Sequence, residues 1–388
     1  MFRHKQPTPA RLRSPRISHF SSTSFLLAHR AVVYRHNGQP SDVLTATTFP
    51  TLPPPRQHWI NIKYILSPIN PADINVIEGV YPSKPSPLSS WWPDGSHFDE
   101  PLFVAGNEGL AEVTAVGSGV HEYKKGDRVV LTAQQSGTWA SARTIPAQFV
   151  TKVPEEFSDV NAATVTVNPS TAYNMLHTFV KLEAGEWIVQ NGANSAVGQA
   201  VIQIAKRRGW KTFNFVRNRP DVDLLKARLY SLGADVVMTY EDLADKTLRD
   251  QVKTHTGNKP IRLLLNGVGG KIIPRLVGLL GSGANVVTYG GMSKEPIPVA
   301  TSSLIFKDIQ YRGFWQTRWY KENTLEARQD LMRELARMNL QEPEHEVVTL
   351  PREENDEGVT RRVKDLFVKM SKGQYGRKVL LKVEDPHD

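Results

Sequence analysis

The sequence predicts an α/β protein in two parts: a β-rich half, and a doubly wound parallel sheet of the nucleotide-binding kind. Three observations predict it. From Ala31 to about Val150, short apolar and β-branched runs alternate with Pro- and Gly-rich turns. From about Thr164, strand-like and helix-like segments alternate, as in a parallel sheet with right-handed crossovers. The length, 388 residues, exceeds one compact core and suits two domains.

The first 30 residues stand apart. No Asp or Glu precedes Asp42, while Arg3, Lys5, Arg11, Arg13, Arg16 and Arg30 supply six of the net nine positive charges. Together with Ser21-Ser22-Thr23-Ser24, this is the composition of a mitochondrial transit peptide; the plainer reading is a basic tail. The rest of the chain is close to balanced, so its high pI implies no nucleic-acid partner. No apolar run is long enough for a membrane span. The sequence contains no Cys, which excludes disulfides and thiolate metal sites.

In the β-rich half, Trp59 to Ile65, Ala111 to Val116 and Arg128 to Leu131 read as strands, the last entered through a turn at Gly126-Asp127. Asn70-Pro71-Ala72-Asp73 opens a helical stretch that ends by Gly79, leaving Tyr81 in a loop before Pro82. A phenol there can donate a proton, or can simply pack as an amphipathic ring. Asn107 occupies the place where a zinc-binding His would stand, so no catalytic metal is expected.

The second half opens with a helix, Asn168 read as its N-cap and Pro169 as its first residue. Strands follow at Trp187 to Gln190, Thr212 to Val216, Val236 to Met238, Arg262 to Leu265 and Asn285 to Tyr289, with helices between. The first strand runs into Asn191-Gly192-Ala193-Asn194-Ser195-Ala196-Val197-Gly198. Such a small-residue turn brings backbone N–H groups and a helix N-terminus to a pyrophosphate. The next strand ends in Arg217-Asn218-Arg219-Pro220 rather than in the acid that holds an NAD ribose. Guanidinium groups match a 2′-phosphate, so NADPH is the expected cofactor. Asp221 and Asp223 read as first-turn partners of the following helix dipole. Tyr289-Gly290-Gly291-Met292 follows a strand of the same sheet. It is either a wall of the nicotinamide pocket or a glycine turn of structural use only. A helix from Leu325 to Met338 and a strand at Lys378 to Leu381 close the chain, the strand placed to return to the β-rich half.

These motifs, with Val167-Asn168-Pro169-Ser170-Thr171-Ala172-Tyr173 and Phe306-Lys307-Asp308 to Arg312-Gly313-Phe314-Trp315, carry a resemblance. The chain is similar to the zinc-free, quinone-reductase-like branch of the medium-chain dehydrogenase/reductase superfamily. Within that branch it resembles the mitochondrial trans-2-enoyl-thioester reductases of fungal type. The resemblance implies a GroES-like catalytic domain (31–165 and 313–388) around a Rossmann-type domain (166–312). It implies NADPH-dependent reduction of 2-enoyl thioesters in mitochondrial fatty acid synthesis. Tyr81 becomes the proton donor and Asn168 a cofactor ligand near the nicotinamide. Asn194, Ser195, Ala196 and Val197 hold the pyrophosphate; Arg217, Asn218 and Arg219 hold the 2′-phosphate. Tyr289, Gly290, Gly291, Met292, Phe314, Trp315, Gln316 and Lys378 complete the NADPH site, with Arg377 an alternative to Lys378. Ala196 stands where the family usually shows Gly. The resemblance further implies a homodimer in the mitochondrial matrix acting on acyl-carrier-protein or CoA thioesters. The stretch from Ser83 to Pro101 is either a lid beside the acyl channel or a surface loop. Two other readings remain: an NADPH-dependent quinone or enone reductase, and a non-catalytic NADPH-binding protein.

Overall fold

The computed structural model describes residues 28–90, 100–373 and 376–386. The leader to residue 27 and residues 91–99 of the long loop lie outside the described residues.

Among the described residues, six parallel strands form one sheet. From edge to edge they are Val236–Thr239, Lys211–Val216, Trp187–Asn191, Leu263–Asn266, Asn285–Thr288 and Gln310–Gly313. The chain starts in the middle, winds outward one way, then returns and winds outward the other. Between Trp187–Asn191 and Leu263–Asn266 the direction reverses, and ligands bind beyond the carboxyl ends of strands at such a point. The inner strands are mostly buried, Leu263–Asn266 at every position, as expected of a parallel sheet covered on both faces. The outermost strand, Gln310–Gly313, was not legible: QYRG has no apolar run, and only pairing with Asn285–Thr288 makes it a strand.

The β-rich half is antiparallel except where its two last-made strands, His345–Leu350 and Lys378–Val383, run parallel. Lys378–Val383 pairs with the long central strand Trp59–Pro68. The C-terminus therefore does come back to complete the first half's sheet, and it places Lys378 beside Ile69 and Asn70. One apolar cluster spans both halves, joining Leu66, Leu110 and Leu380 to Ile188, Leu265 and the helix Leu325–Met338.

Three sequence expectations shift. The first strand is His29–Tyr34, so the fold begins inside the 30-residue leader expected from composition. Arg30 is 2% exposed, ion-paired with Asp356 at 3.1 Å and bonded to the carbonyls of Pro351 and Glu354. Asn168 is not an N-cap. The helix is Asn168–Thr178, and the amide of Thr171 bonds the carbonyl of Val167, which takes the cap position. Asn168 thus spends its side chain elsewhere, on Asn70. Asp221 is the N-cap residue of the helix Val222–Ser231, one position before the first turn that holds Asp223, and its carboxylate pairs with Arg219 at 3.0 Å.

Candidate active site

The cofactor edge is built by backbone. Gly192 sits at φ +62, a left-handed turn that glycine adopts without strain, directly after the strand Trp187–Asn191. Its N–H is held by the Tyr240 hydroxyl at 3.0 Å. Ser195 caps the helix Ala196–Arg208, its hydroxyl accepting from the N–H of Gly198 at 3.1 Å. A Cβ on Gly198 would lie 2.6 Å from the Ala193 carbonyl oxygen, so only glycine lets helix and turn pack this closely. The helix N-terminus consequently faces the open end of the turn, where an anion is stabilised by N–H groups and dipole together.

At the tip of Lys211–Val216, Arg217 and Asn218 are exposed and Arg219 is half-buried. Arg217 lies close enough to Tyr240 to oppose, by its charge, the rise that burial causes in that phenol. This sets Arg217 beside the Gly192 turn, where an adenosine 2′-phosphate would meet it. Arg219 is shared with Asp221, a half-exposed pair of modest strength.

Tyr289 and Gly290 press against the neighbouring strand end. A Cβ on Gly267 would be 2.7 Å from the Tyr289 hydroxyl, and one on Gly290 would be 2.9 Å from the Gly267 carbonyl oxygen. Burial pushes the Tyr289 phenol up to about 12, partly offset by a bond from Ser195 of the cofactor turn. Gly291 and Met292 are exposed, Met292 by 62%. Phe314 packs edge-on against Phe179 at 6.3 Å. Gln316 is buried, its carbonyl oxygen accepting from Asn174 at 3.1 Å.

The reacting edge joins the loop after the helix Pro71–Ile77 to the segment after the strand Gln310–Gly313. Trp315 Nε1 donates to the Tyr81 hydroxyl at 2.8 Å, the rings meeting edge to face at 6.0 Å. An indole N–H only donates, so the tyrosine oxygen accepts here; its second partner is Thr317, whose own hydroxyl proton goes to Gln134 Oε1, so the phenol proton points to Thr317. Burial raises the Tyr81 pKa; its hydrogen bonds with Trp315 and Thr317 pull it the other way. The net rise keeps the phenol loaded near neutral pH, as a proton donor requires. Lys321 lies over the outer face of the same indole, 5.6 Å from its centroid.

Behind Tyr81 lies a buried polar cluster that sequence reasoning passed over. Asn70, Asp73 and Glu108 are each 2% exposed or less. Asn70 Nδ2 donates to Glu108 at 2.8 Å, and its backbone N–H donates to Asp73 at 2.6 Å. The second Glu108 oxygen accepts from Thr166 at 2.9 Å. Lys378 Nζ donates to the Ile69 carbonyl at 3.0 Å and to Asn70 Oδ1. Asn168 Nδ2 donates to the same Oδ1 at 3.2 Å. Burial raises the pKa of Asp73, to about 7, and of Glu108, and lowers that of Lys378; the opposite charges partly offset each shift. Asn107 holds the Gln135 N–H at 2.7 Å, a loop-fixing role. The available signal was two acids, Asp73 and Glu108, inside otherwise apolar or glycine-rich segments, since an acid there is rarely left unpaired.

The structure brings Asn168 and Lys378 together on Asn70; the cavity that Asn168 and Ala196 line is shared with Gln199, Gln203, Leu335 and Leu340, and none of Tyr81, Trp315, Lys378 or the Tyr289–Met292 loop lines it. Tyr81 and Trp315 form a second contact, between segments 234 residues apart in sequence. Among the described residues, no group of three or more His, Asp or Glu is placed to hold a metal ion.

Comparison with known proteins agrees with this geometry. Residues 56–155 match the alcohol dehydrogenase GroES-like domain, and residues 196–335 the zinc-binding dehydrogenase family model. Mitochondrial enoyl-acyl-carrier-protein reductase of Yarrowia lipolytica is 44% identical over 294 residues, 75% of this chain and 74% of that protein. The Homo sapiens protein of that name is 40% identical over 319 residues, 82% of this chain and 80% of its own. The Etr1p/NADP/crotonyl-CoA complex superposes with a TM-score of 0.83 at 31% identity, covering 92% of this chain and all of that one. The mitochondrial 2-enoyl thioester reductase Etr1p/Etr2p heterodimer from Candida tropicalis gives 0.82 at 32% identity, covering 92% of this chain and all of that one.

Proposed function

The chain belongs to the mitochondrial enoyl-acyl-carrier-protein reductases of the medium-chain dehydrogenase/reductase superfamily, and from that membership we infer its reaction. It reduces the C2–C3 double bond of trans-2-enoyl thioesters with NADPH, in mitochondrial fatty acid synthesis. The observation that carries the chemistry is the Tyr81 hydroxyl, its oxygen held by the Trp315 indole N–H at 2.8 Å.

A 2-enoyl thioester is electrophilic at C3 because its carbonyl takes up charge as an enolate. Bound NADPH supplies the hydride to C3. Tyr81 donates the proton to C2, and burial of the phenol then favours its return to the protonated form. Arg217, Asn218 and Arg219 hold the 2′-phosphate, and the Asn194 to Val197 turn the pyrophosphate. Tyr289 to Met292, with Phe314 to Gln316, wall the nicotinamide end. Asn168 and Lys378 close it from the β-rich side. The remaining assignments are of the same kind. The thioester arrives on acyl carrier protein in the matrix, and the leader to about residue 27 directs the chain there. The working unit is a homodimer. The edge strand Gln310–Gly313 supports this, together with the preceding helix, which exposes Ile305 by 66% and Phe306 by 79%.

NADPH oxidation followed with crotonyl-CoA, longer enoyl-CoAs and a quinone panel tests the reading. Turnover with enoyl-CoAs is expected. Turnover with quinones alone, or tight NADPH binding without turnover of any thioester, contradicts it. Phe306→Asp is expected to shift the protein from dimer to monomer by light scattering; a dimer that persists refutes the interface.

A further inference from the structure

A small cavity lies against the helix Pro71–Ile77 and the strand Phe103–Val104, with Tyr34, Asp73, Val104, Gly106 and Gln135 in its wall. Three of these residues each bring a buried polar atom with no hydrogen-bond partner among the described residues: Tyr34 Oη, Asp73 Oδ1 and Gln135 Nε2. The residues are 3%, 2% and 7% exposed. Their other groups are already committed. Asp73 Oδ2 accepts the Asn70 N–H at 2.6 Å, the Gln135 backbone N–H goes to Asn107 at 2.7 Å, and the Tyr34 ring stacks on Phe103 at 5.4 Å. Orphaned groups gathered at one cavity call for an occupant that pairs them. An amide N–H₂ donates, a carboxylate oxygen accepts, and a phenol does either. The occupant must therefore accept and donate at once. A cation cannot take the Gln135 N–H, and an anion would meet the Asp73 carboxylate. The cavity measures about 10 Å³, the room one water needs, and a buried water typically has about three polar partners.

Gln135 also borders the reacting edge. Its backbone is left-handed, φ +57, a conformation that a residue with a Cβ keeps only when its surroundings hold it there. Its neighbour Gln134 accepts the Thr317 hydroxyl proton, and Thr317 is the second partner of Tyr81. We propose that Tyr34, Asp73 and Gln135 bind one structural water, which anchors the Gln134–Gln135 turn and so orients Thr317 toward the Tyr81 hydroxyl. Tyr34 and Gln135 are then positioning residues, acting on the proton donor without touching substrate or cofactor. The water site stands independently of the reaction; its effect on Tyr81 rests on the thioester reading.

A crystal structure of the NADPH-bound protein, at a resolution that shows ordered water, tests the site. One water within hydrogen-bond distance of all three atoms is expected; no water on them overturns the proposal. Kinetics test the role. Tyr34→Phe and Gln135→Met each remove one partner and nearly keep the shape. In both, kcat with crotonyl-CoA is expected to fall by roughly tenfold, the scale of one buried hydrogen bond, with KM near wild type. The solvent deuterium isotope effect on kcat should rise, because proton delivery from Tyr81 becomes slower. A packing defect alone would leave that isotope effect where it was. Circular dichroism checks folding, and either folded variant suffices. Wild-type kcat in a folded variant, or a fall in kcat with an unchanged isotope effect, overturns the positioning role. Wild-type protein that turns over no enoyl thioester would count against the thioester reading, while the crystal structure still decides the water.

Discussion

The two sides of the crevice are assembled from different kinds of information. The proposed phosphate-binding edge comes from one continuous stretch, Trp187 to Arg219, where strand, turn, helix and strand follow in order and the backbone sets the shape. The reacting side draws its groups from positions far apart: Asn70 with Glu108 and Lys378, Tyr81 with Trp315. The first should tolerate side-chain changes wherever the backbone path survives. The second should fail when a single partner is lost, because a buried polar group without its partner costs more than the bond contributes.

The largest effect expected is at Tyr81. Tyr81→Phe removes the proton donor together with the acceptor of the Trp315 N–H, and turnover of crotonyl-CoA should fall by about 10²–10⁴-fold while NADPH affinity stays near wild type. Stopped-flow oxidation and equilibrium titration on one preparation check both. Unchanged turnover would remove Tyr81 from the chemistry.

Next comes the side-chain part of the cofactor edge. Arg217→Ala with Arg219→Ala should weaken NADPH by about 10–100-fold, the scale of charge-assisted hydrogen bonds, and leave NADH nearly untouched. Equal weakening of both nucleotides would contradict the 2′-phosphate assignment.

A smaller effect isolates Trp315. The indole N–H stabilises the phenolate and so lowers the Tyr81 pKa. Trp315→Phe removes that donor, the pKa rises further, and the alkaline limb of the kcat profile should move to higher pH. Turnover should fall by about tenfold. An alkaline limb that stays in place would separate the two residues functionally.

The smallest is a stability effect at Asp73. Its folded pKa, about 7, lies above the ordinary carboxylate value, so the native state holds a proton that the unfolded chain releases. That contribution is full below the unfolded value and is lost as pH rises toward 7. Asp73→Asn should therefore flatten the fall in Tm between pH 5 and 8. A wild-type slope retained in the variant would show that Asp73 does not titrate in that window.

The same division explains what could be read in advance. The turn and the pair of arginines were legible because their signals are local: a strand, small residues, a helix start, a basic strand tip. The helix Leu325–Met338 was found to the residue, its apolar stripe needing no partner to be recognised. Gln310–Gly313 was not, because its strand character comes from a neighbour. Asn168 looked like an N-cap by residue type, yet the turn after Asp159–Thr164 puts Val167 there. Arg30 counted as leader charge until Asp356, 326 residues away, gave it a buried partner. Glu108 drew no role because nothing within its own segment says that Asn70 and Thr166 will receive it.

The central claim is that hydride and proton reach the double bond from different donors, the cofactor and Tyr81. Crotonyl-CoA reduced with NADPH deuterated at the transferred position, and separately with ordinary NADPH in heavy water, tests it by mass and NMR analysis of the butyryl product. The account predicts cofactor deuterium at C3 only and solvent deuterium at C2 only. Cofactor deuterium at C2, or none in the product with either stereoisomer of the labelled cofactor, would contradict it.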